Sequence, residues 1–146
     1  MIGIPQLAIA ITALGVIILA MGLFPGFTGR LPADGVGLVQ FVVILLGFSI
    51  FTLGGLLYVK TAFYWHRASN LAQQISVRLS FTGILLMGMT GLADFLGFGS
   101  HAGVTGTPVL LGPLQAVGVM GGVLLSALGV MLYAVLGDPP PEPPIQ

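Results

Sequence analysis

The chain has 146 residues, of which 56% are hydrophobic and 5% charged, with no net charge and no cysteine. Soluble domains carry about 25% charged residues, so this composition leaves too few charges to coat a water-facing surface and points to lipid as the solvent. Without Cys there is no disulfide framework, thiolate metal site or iron–sulfur cluster, and a neutral chain gives no electrostatic case for nucleic acid.

A hydrocarbon core of about 30 Å takes roughly 20 helical residues to cross. Backbone groups find no water there, so a crossing run must be helical. Four stretches qualify, at residues 6–24, 36–59, 79–98 and 113–136. The expected fold class is all-α, an integral membrane four-helix bundle over residues 1–137 followed by a Pro-rich tail at 138–146. No Lys or Arg precedes the first stretch and no small-x-small cleavage site follows it, so it reads as a retained span and not as a signal peptide. The second stretch runs into the cluster "YVKTAFYWHR" at residues 58–67. Ahead of the third, Asn70 and Gln73 have the spacing of a capping box, and Leu71, Ile75 and Leu79 recur every four residues. Helix 3 is therefore expected to begin near Leu71. It would form with helix 2 a hairpin projecting about 10–15 Å from the membrane, offering Arg67, Asn70, Gln73, Gln74 and Arg78 to a neighbour. Gly137 is placed to end the fourth helix, and the tail "DPPPEPPIQ" favours extended polyproline II.

Four spans put the N-terminus, the connection between helices 2 and 3, and the C-terminus on one side. That side carries Lys60, Arg67 and Arg78 against Arg30 on the other. The positive-inside rule then places both termini in the cytoplasm, with the chain in a bacterial inner membrane. Tyr58, Lys60, Tyr64, Trp65, His66 and Arg67 would anchor helix 2 at the interface, where amphipathic rings and snorkelling cations settle. The alternative makes His66 a haem or quinone ligand. His66 and His101 fall on opposite sides, too far apart to clamp one iron.

A shift of 75 residues lays helix 2 over helix 4. Gly37, Gln40, Val42, Gly47, Leu53, Gly54, Leu57 and Tyr58 match Gly112, Gln115, Val117, Gly122, Leu128, Gly129, Leu132 and Tyr133. The same shift brings helix 1 over helix 3, with Gly22 on Gly97. Each hairpin starts from the same side, so the repeat is parallel, about an axis along the membrane normal; the alternative is convergence of two Gly-rich spans. Gly15 and Gly22, Gly47 and Gly54, and Gly122 and Gly129 are each seven apart. That spacing keeps one face in register and lets backbones approach closely, so these six are expected to pack helices together.

Asp94 is the one ionisable residue well inside a predicted span, about 6 Å from the outer end of helix 3. It could pair with Arg30 or His101, or with His101, Gln40 and Gln115 line a polar pocket that holds a proton or a quinone carbonyl. Gln side chains equally join helices in membranes. No nucleotide-binding loop, "H-E-x-x-H" or haem-attachment motif is present. Thr12, Ser49, Thr52 and Ser126 are too mild for an ion pathway.

As a hydropathy profile over its whole length, without a diagnostic motif, the chain resembles the small four-helix accessory subunit of an alternative complex III, a quinol-oxidising bacterial assembly. The resemblance implies no cofactor bound by this chain, with haem, iron–sulfur and quinone in partner subunits. It implies other membrane subunits and lipid as its partners, and a non-catalytic role that stiffens the membrane arm. The rival reading is an independent small transporter or quinone-linked protein using Asp94, Gln40 and Gln115.

Overall fold

The computed structural model describes residues 3–29, 36–97 and 112–137. They form four α-helices: α1 (Ile4–Leu23), α2 (Leu38–Phe63), α3 (Leu71–Gly91) and α4 (Pro113–Val135), with a 3-10 turn at Pro25–Thr28 after α1. The molecule is an all-α membrane bundle in which α1, α2 and α4 are each long and apolar enough to cross a membrane. The 21 residues of α3 rise about 31 Å, but its first half carries Gln73, Gln74, Ser76, Arg78 and Ser80.

The expected third span, 79–98, is displaced. Helix 3 occupies Leu71–Gly91, and the chain from Leu92 to Gly97 winds through turns. The last residue of α3 must be glycine, because the Phe41 ring of α2 lies where a Cβ on Gly91 would stand. Beyond it the backbone closes short loops, such as Gly97 N donating to Asp94 O at 3.4 Å, and Gly97 takes φ +80°, a left-handed conformation that glycine adopts without steric penalty.

Two antiparallel hairpins, α1–α2 and α3–α4, make the bundle, and α2 packs on all three other helices. Glycine closes both hairpins. A Cβ added to Gly15 would meet the Phe51 backbone, one on Gly47 the Leu19 backbone, and one on Gly54 the Thr12 nitrogen at 2.6 Å. In the second hairpin a Cβ on Gly83 would meet the Ser126 backbone, one on Gly122 would stand 2.6 Å from the Met87 nitrogen, and one on Gly129 would stand 2.6 Å from the Ser80 nitrogen. Such contacts put backbone against backbone, the arrangement that drives helix association in lipid.

These contacts fix the repeat register. α2 falls on α4 with a shift of 75, as Gly47 and Gly54 match Gly122 and Gly129. The partners Thr12, Gly15 and Leu19 correspond instead to Ser80, Gly83 and Met87, a shift of 68. The 75-residue match of helix 1 with helix 3 is therefore wrong, and Gly97 lies outside α3 altogether. At the corrected register Gln6, Gly15 and Met21 fall on Gln74, Gly83 and Met89. The connection between α3 and α4 is seven residues longer than that between α1 and α2, which absorbs the difference.

The hairpins meet where Phe41 and Phe48 of α2 pack with Met87 of α3, flanked by Leu45, Ile84, Leu92 and Val123. α1 stays at the periphery, with only Ala8, Gly15 and Gly22 buried, one seven-residue stripe facing α2.

Candidate functional site

Each helix begins with the same device. A glutamine stands three positions after the N-cap: Gln6 after Gly3, Gln40 after Gly37, Gln73 after Asn70 and Gln115 after Gly112. In three helices its carbonyl accepts the N-cap amide, at 3.0 Å from Gly3, 3.3 Å from Asn70 and 2.7 Å from Gly112. This is the returning half of a capping box, and it satisfies a backbone donor that lipid cannot. Asn70 completes the box by accepting from Gln73 N at 2.8 Å. Gln40 is the exception: its Nε2 donates to Gly22 O on α1 at 2.9 Å, stitching the first hairpin together. The match of Gln40 with Gln115 thus reflects helix starts, with one of the pair turned to joining helices.

Asp94 lies half-buried in the turns after α3. Arg30 and His101, offered as its partners, lie outside the described residues, as does the tail at 138–146. The bonds given for Gln40 and Gln115 stay within their own hairpins, to Gly22 and Gly112. Among the described residues no three His, Asp or Glu side chains gather as a metal site.

At mid-length the bundle holds a hydroxyl seam. Thr52 Oγ1 and Ser126 Oγ lie 3.4 Å apart across the contact between α2 and α4. Ser80 Oγ donates at 3.2 Å to Ser126 O and to its own helix at Ser76 O, also 3.2 Å. Ser76, Ser80 and Ser126 are 0–1% exposed. Thr12, Ser49 and Thr90 bond only within their own helices, to Ala8 O, Leu45 O and Leu86 O. Hydroxyls placed this way carry their polarity into an apolar interior without leaving a donor unmet.

The end where α2 turns into α3 is a latch. Three carbonyls in the last turn of α4 would otherwise go unmet. Tyr64 Oη donates to Ala134 O at 2.8 Å, Asn70 Nδ2 to Leu136 O at 2.7 Å and Gln73 Nε2 to Tyr133 O at 3.5 Å. The Tyr64 ring covers Gly137 and meets Tyr133 edge-on, with ring centres 6.4 Å apart. Lys60 Nζ donates to Arg67 O and to Ser69 Oγ, tying down the linker. One expectation changes here. Gln73, expected to be offered to a neighbour, is 2% exposed and spent inside the chain. Tyr64 and Lys60 hold the linker together, while Tyr58, Trp65 and His66 are exposed.

The latch was missed because it joins residues about 65 positions apart, and no local spacing announces it. A faint signal for the seam exists: Ser76, Ser80, Gly83 and Met87 recur at spacings of four and three, a small-residue face that includes two hydroxyls. No known family model, curated protein or solved structure matches the chain.

Proposed function

We propose that the chain is a non-catalytic accessory subunit of a multi-subunit, quinol-oxidising electron-transfer complex in a bacterial inner membrane. Haem, iron–sulfur and quinone chemistry belongs to neighbouring subunits, and this chain seals and stiffens the membrane arm. All four helices cross the membrane in this reading, with both termini in the cytoplasm.

The use made of buried polar groups supports it. Thr52, Gln73, Ser76, Ser80, Gln115 and Ser126 are buried, and each bonds within the chain. Thr52, Gln73, Ser80 and Ser126 join neighbouring helices, Ser76 and Gln115 bond within their own, and large apolar side chains such as Leu85, Leu114, Val117 and Leu124 face outward. A stiff frame with an apolar outside serves to fill space between larger subunits.

Purification from the native membrane in a mild detergent tests the proposal. The expected result is co-migration with a large haem-containing assembly. Asp94→Asn should then leave quinol oxidation per assembled complex unchanged, with assembly scored by haem content. A self-contained homo-oligomer that moves a substrate, or full assembly with turnover abolished by Asp94→Asn, overturns it. For orientation, a reporter fused after Gln146 should read cytoplasm and one inserted near Ala33 should read the opposite side.

A further inference from the structure

The repeat exposes a difference between the hairpins that packing alone does not require. On the first hairpin a groove of about 380 Å³ runs between α1 and α2, lined by Ile9, Thr12, Ala13, Val16, Gly55 and Tyr58. Ala13 and Gly55 make room for it. At the corrected register their counterparts in the second hairpin are Phe81 and Val130, each a far larger side chain. Thr12, the polar group on the α1 wall, spends its hydroxyl on Ala8 O at 2.8 Å, so the wall is chemically hydrocarbon. One helical turn nearer the latch lies a second hollow of about 390 Å³, lined by Ile4, Pro5, Thr61, Trp65 and His66. Pro5 and Ile9 are four apart, and Tyr58 and Thr61 three apart. The two hollows therefore follow one another along the same faces of the same two helices.

The resulting trough is apolar at depth and ends in an indole, an imidazole and a hydroxyl. Charge is graded along the molecule in the same sense. Lys60, Arg67 and Arg78 lie toward the latch end, whereas Asp94, the one acidic side chain among the described residues, lies past the far end of α3. Basic residues at a membrane surface attract anionic headgroups.

We infer that this trough holds one anionic phospholipid. An acyl chain lies along Ile9, Ala13 and Val16, and the phosphate is at the Trp65–His66 mouth in the positive field of that end. The site is independent of the accessory-subunit reading and stands whether or not the chain joins a complex.

Trp65, the only tryptophan, lines the mouth and serves as the reporter. The full chain is reconstituted in vesicles of phosphatidylcholine with increasing phosphatidylglycerol. One lipid or the other carries bromine on the acyl carbons nearest the glycerol, which quenches indole fluorescence. Phosphatidylglycerol is expected to be preferred by about fivefold, the effect of roughly one basic residue at a membrane surface. Ala13→Phe restores the bulk found in the second hairpin at an exposed position and should bring the preference close to one, with helicity unchanged by circular dichroism. Val16→Phe, at another exposed residue of the groove wall, gives a second route to the same result. Native mass spectrometry of the wild type should show one retained phosphatidylglycerol. Equal quenching by the two lipids in the wild type overturns the inference, leaving only a shell of bulk lipid. So does a preference that survives both filling variants, or a retained isoprenoid quinone in place of the phospholipid.

Discussion

The two hairpins share a backbone frame and differ in what fills it. Gly15, Gly47 and Gly54 in the first hairpin occupy the places of Gly83, Gly122 and Gly129 in the second, each pressed against the partner's backbone. Thr12 and Ser80 are equivalent, and both return a hydroxyl to the carbonyl four residues earlier. Around that frame the chemistry diverges. α1 buries only Ala8, Gly15 and Gly22, whereas α3 buries Gln73, Ser76, Ser80, Gly83, Met87 and Gly91. The cause is position: α1 packs chiefly on α2, while α3 lies against α4 and α2 and needs two buried faces. Close backbone approach fixes how a hairpin crosses, and the side chains on its other faces are then free to serve as seam, latch or groove.

The largest expected effect strikes what the hairpins have in common. Gly47→Leu and Gly122→Leu each drive a branched side chain into the backbone of the facing helix, near Leu19 and Met87. Overpacking costs about 1–3 kcal/mol, and the rigid backbone target puts both variants at the upper limit of about 3 kcal/mol. Reversible unfolding in mixed micelles measures it. Losses that differ by more than about twofold between the two variants would break the equivalence of the hairpins.

Next in size is the latch, which ties the link between the hairpins to the end of α4. Asn70→Ala removes the N-cap of α3 and the donor to Leu136 O together. Cap removal costs about 0.5–2 kcal/mol, so a loss of about 2 kcal/mol is expected. Asn70→Asp keeps the capping oxygen and gives up only the bond to α4, so it should fall between. The helix start of the first hairpin has less to lose: Gln6→Ala deletes one exposed bond to Gly3 and should cost well under 1 kcal/mol. Equal losses at Asn70 and Gln6 would mean that the latch adds nothing to an ordinary helix start.

A smaller effect belongs to the seam. Ser126→Ala removes the hydroxyl shared with Thr52 but leaves the carbonyl that accepts from Ser80. Interhelical hydrogen bonds in membranes average about 0.6 kcal/mol and reach about 1.7, so a loss near 0.6 kcal/mol is expected. Thr12→Ala, whose hydroxyl bonds only within α1, should lose less. The reverse order would show that the seam contributes nothing across the hairpin contact.

Much of this frame was legible in the sequence because it is local or periodic. Three helix ranges fall within a few residues of the hydropathy reading, and the start of α3 at Leu71 follows from Asn70, Gln73 and the four-residue apolar spacing. The end of α3 was not legible. Leu92, Phe95 and Leu96 continue the apolar run, so hydropathy carries the helix past Gly91, the glycine against which the Phe41 ring packs. The register of α1 on α3 was hidden for a similar reason, since the longer second connection disguises a 68-residue match as a 75-residue one. Composition likewise made Gln40 and Gln115 conspicuous without saying that their shared position is a helix start. Asp94 stood out by its charge, and the partners proposed for it fall on residues outside the described structure.

The smallest expected effect, that of Gly121→Ala, is also the sharpest test of the frame, because it stands against a far larger one at the adjacent glycine. Gly121 and Gly122 sit side by side on α4, yet a Cβ on Gly121 would meet no atom within 4 Å, whereas one on Gly122 would lie 2.6 Å from Gly83 O and Met87 N. Alanine adds the same single methyl at either site. At Gly121 the only consequence is the backbone freedom removed from the unfolded chain, which favours the helix by up to about 1 kcal/mol in water. Membrane helices tolerate Gly more readily, so Gly121→Ala should raise stability by about 0.5 kcal/mol or less. The same gain at Gly122 is overwhelmed, since α3 must retreat along its backbone to admit the methyl, and Gly122→Ala should be destabilised by about 1–3 kcal/mol. The measurement is the difference between the two alanine variants in one micelle system, which cancels detergent effects common to both. Equal behaviour would mean that α3 and α4 are not held backbone to backbone at this level, and the equivalence of Gly47 with Gly122 would fall with it.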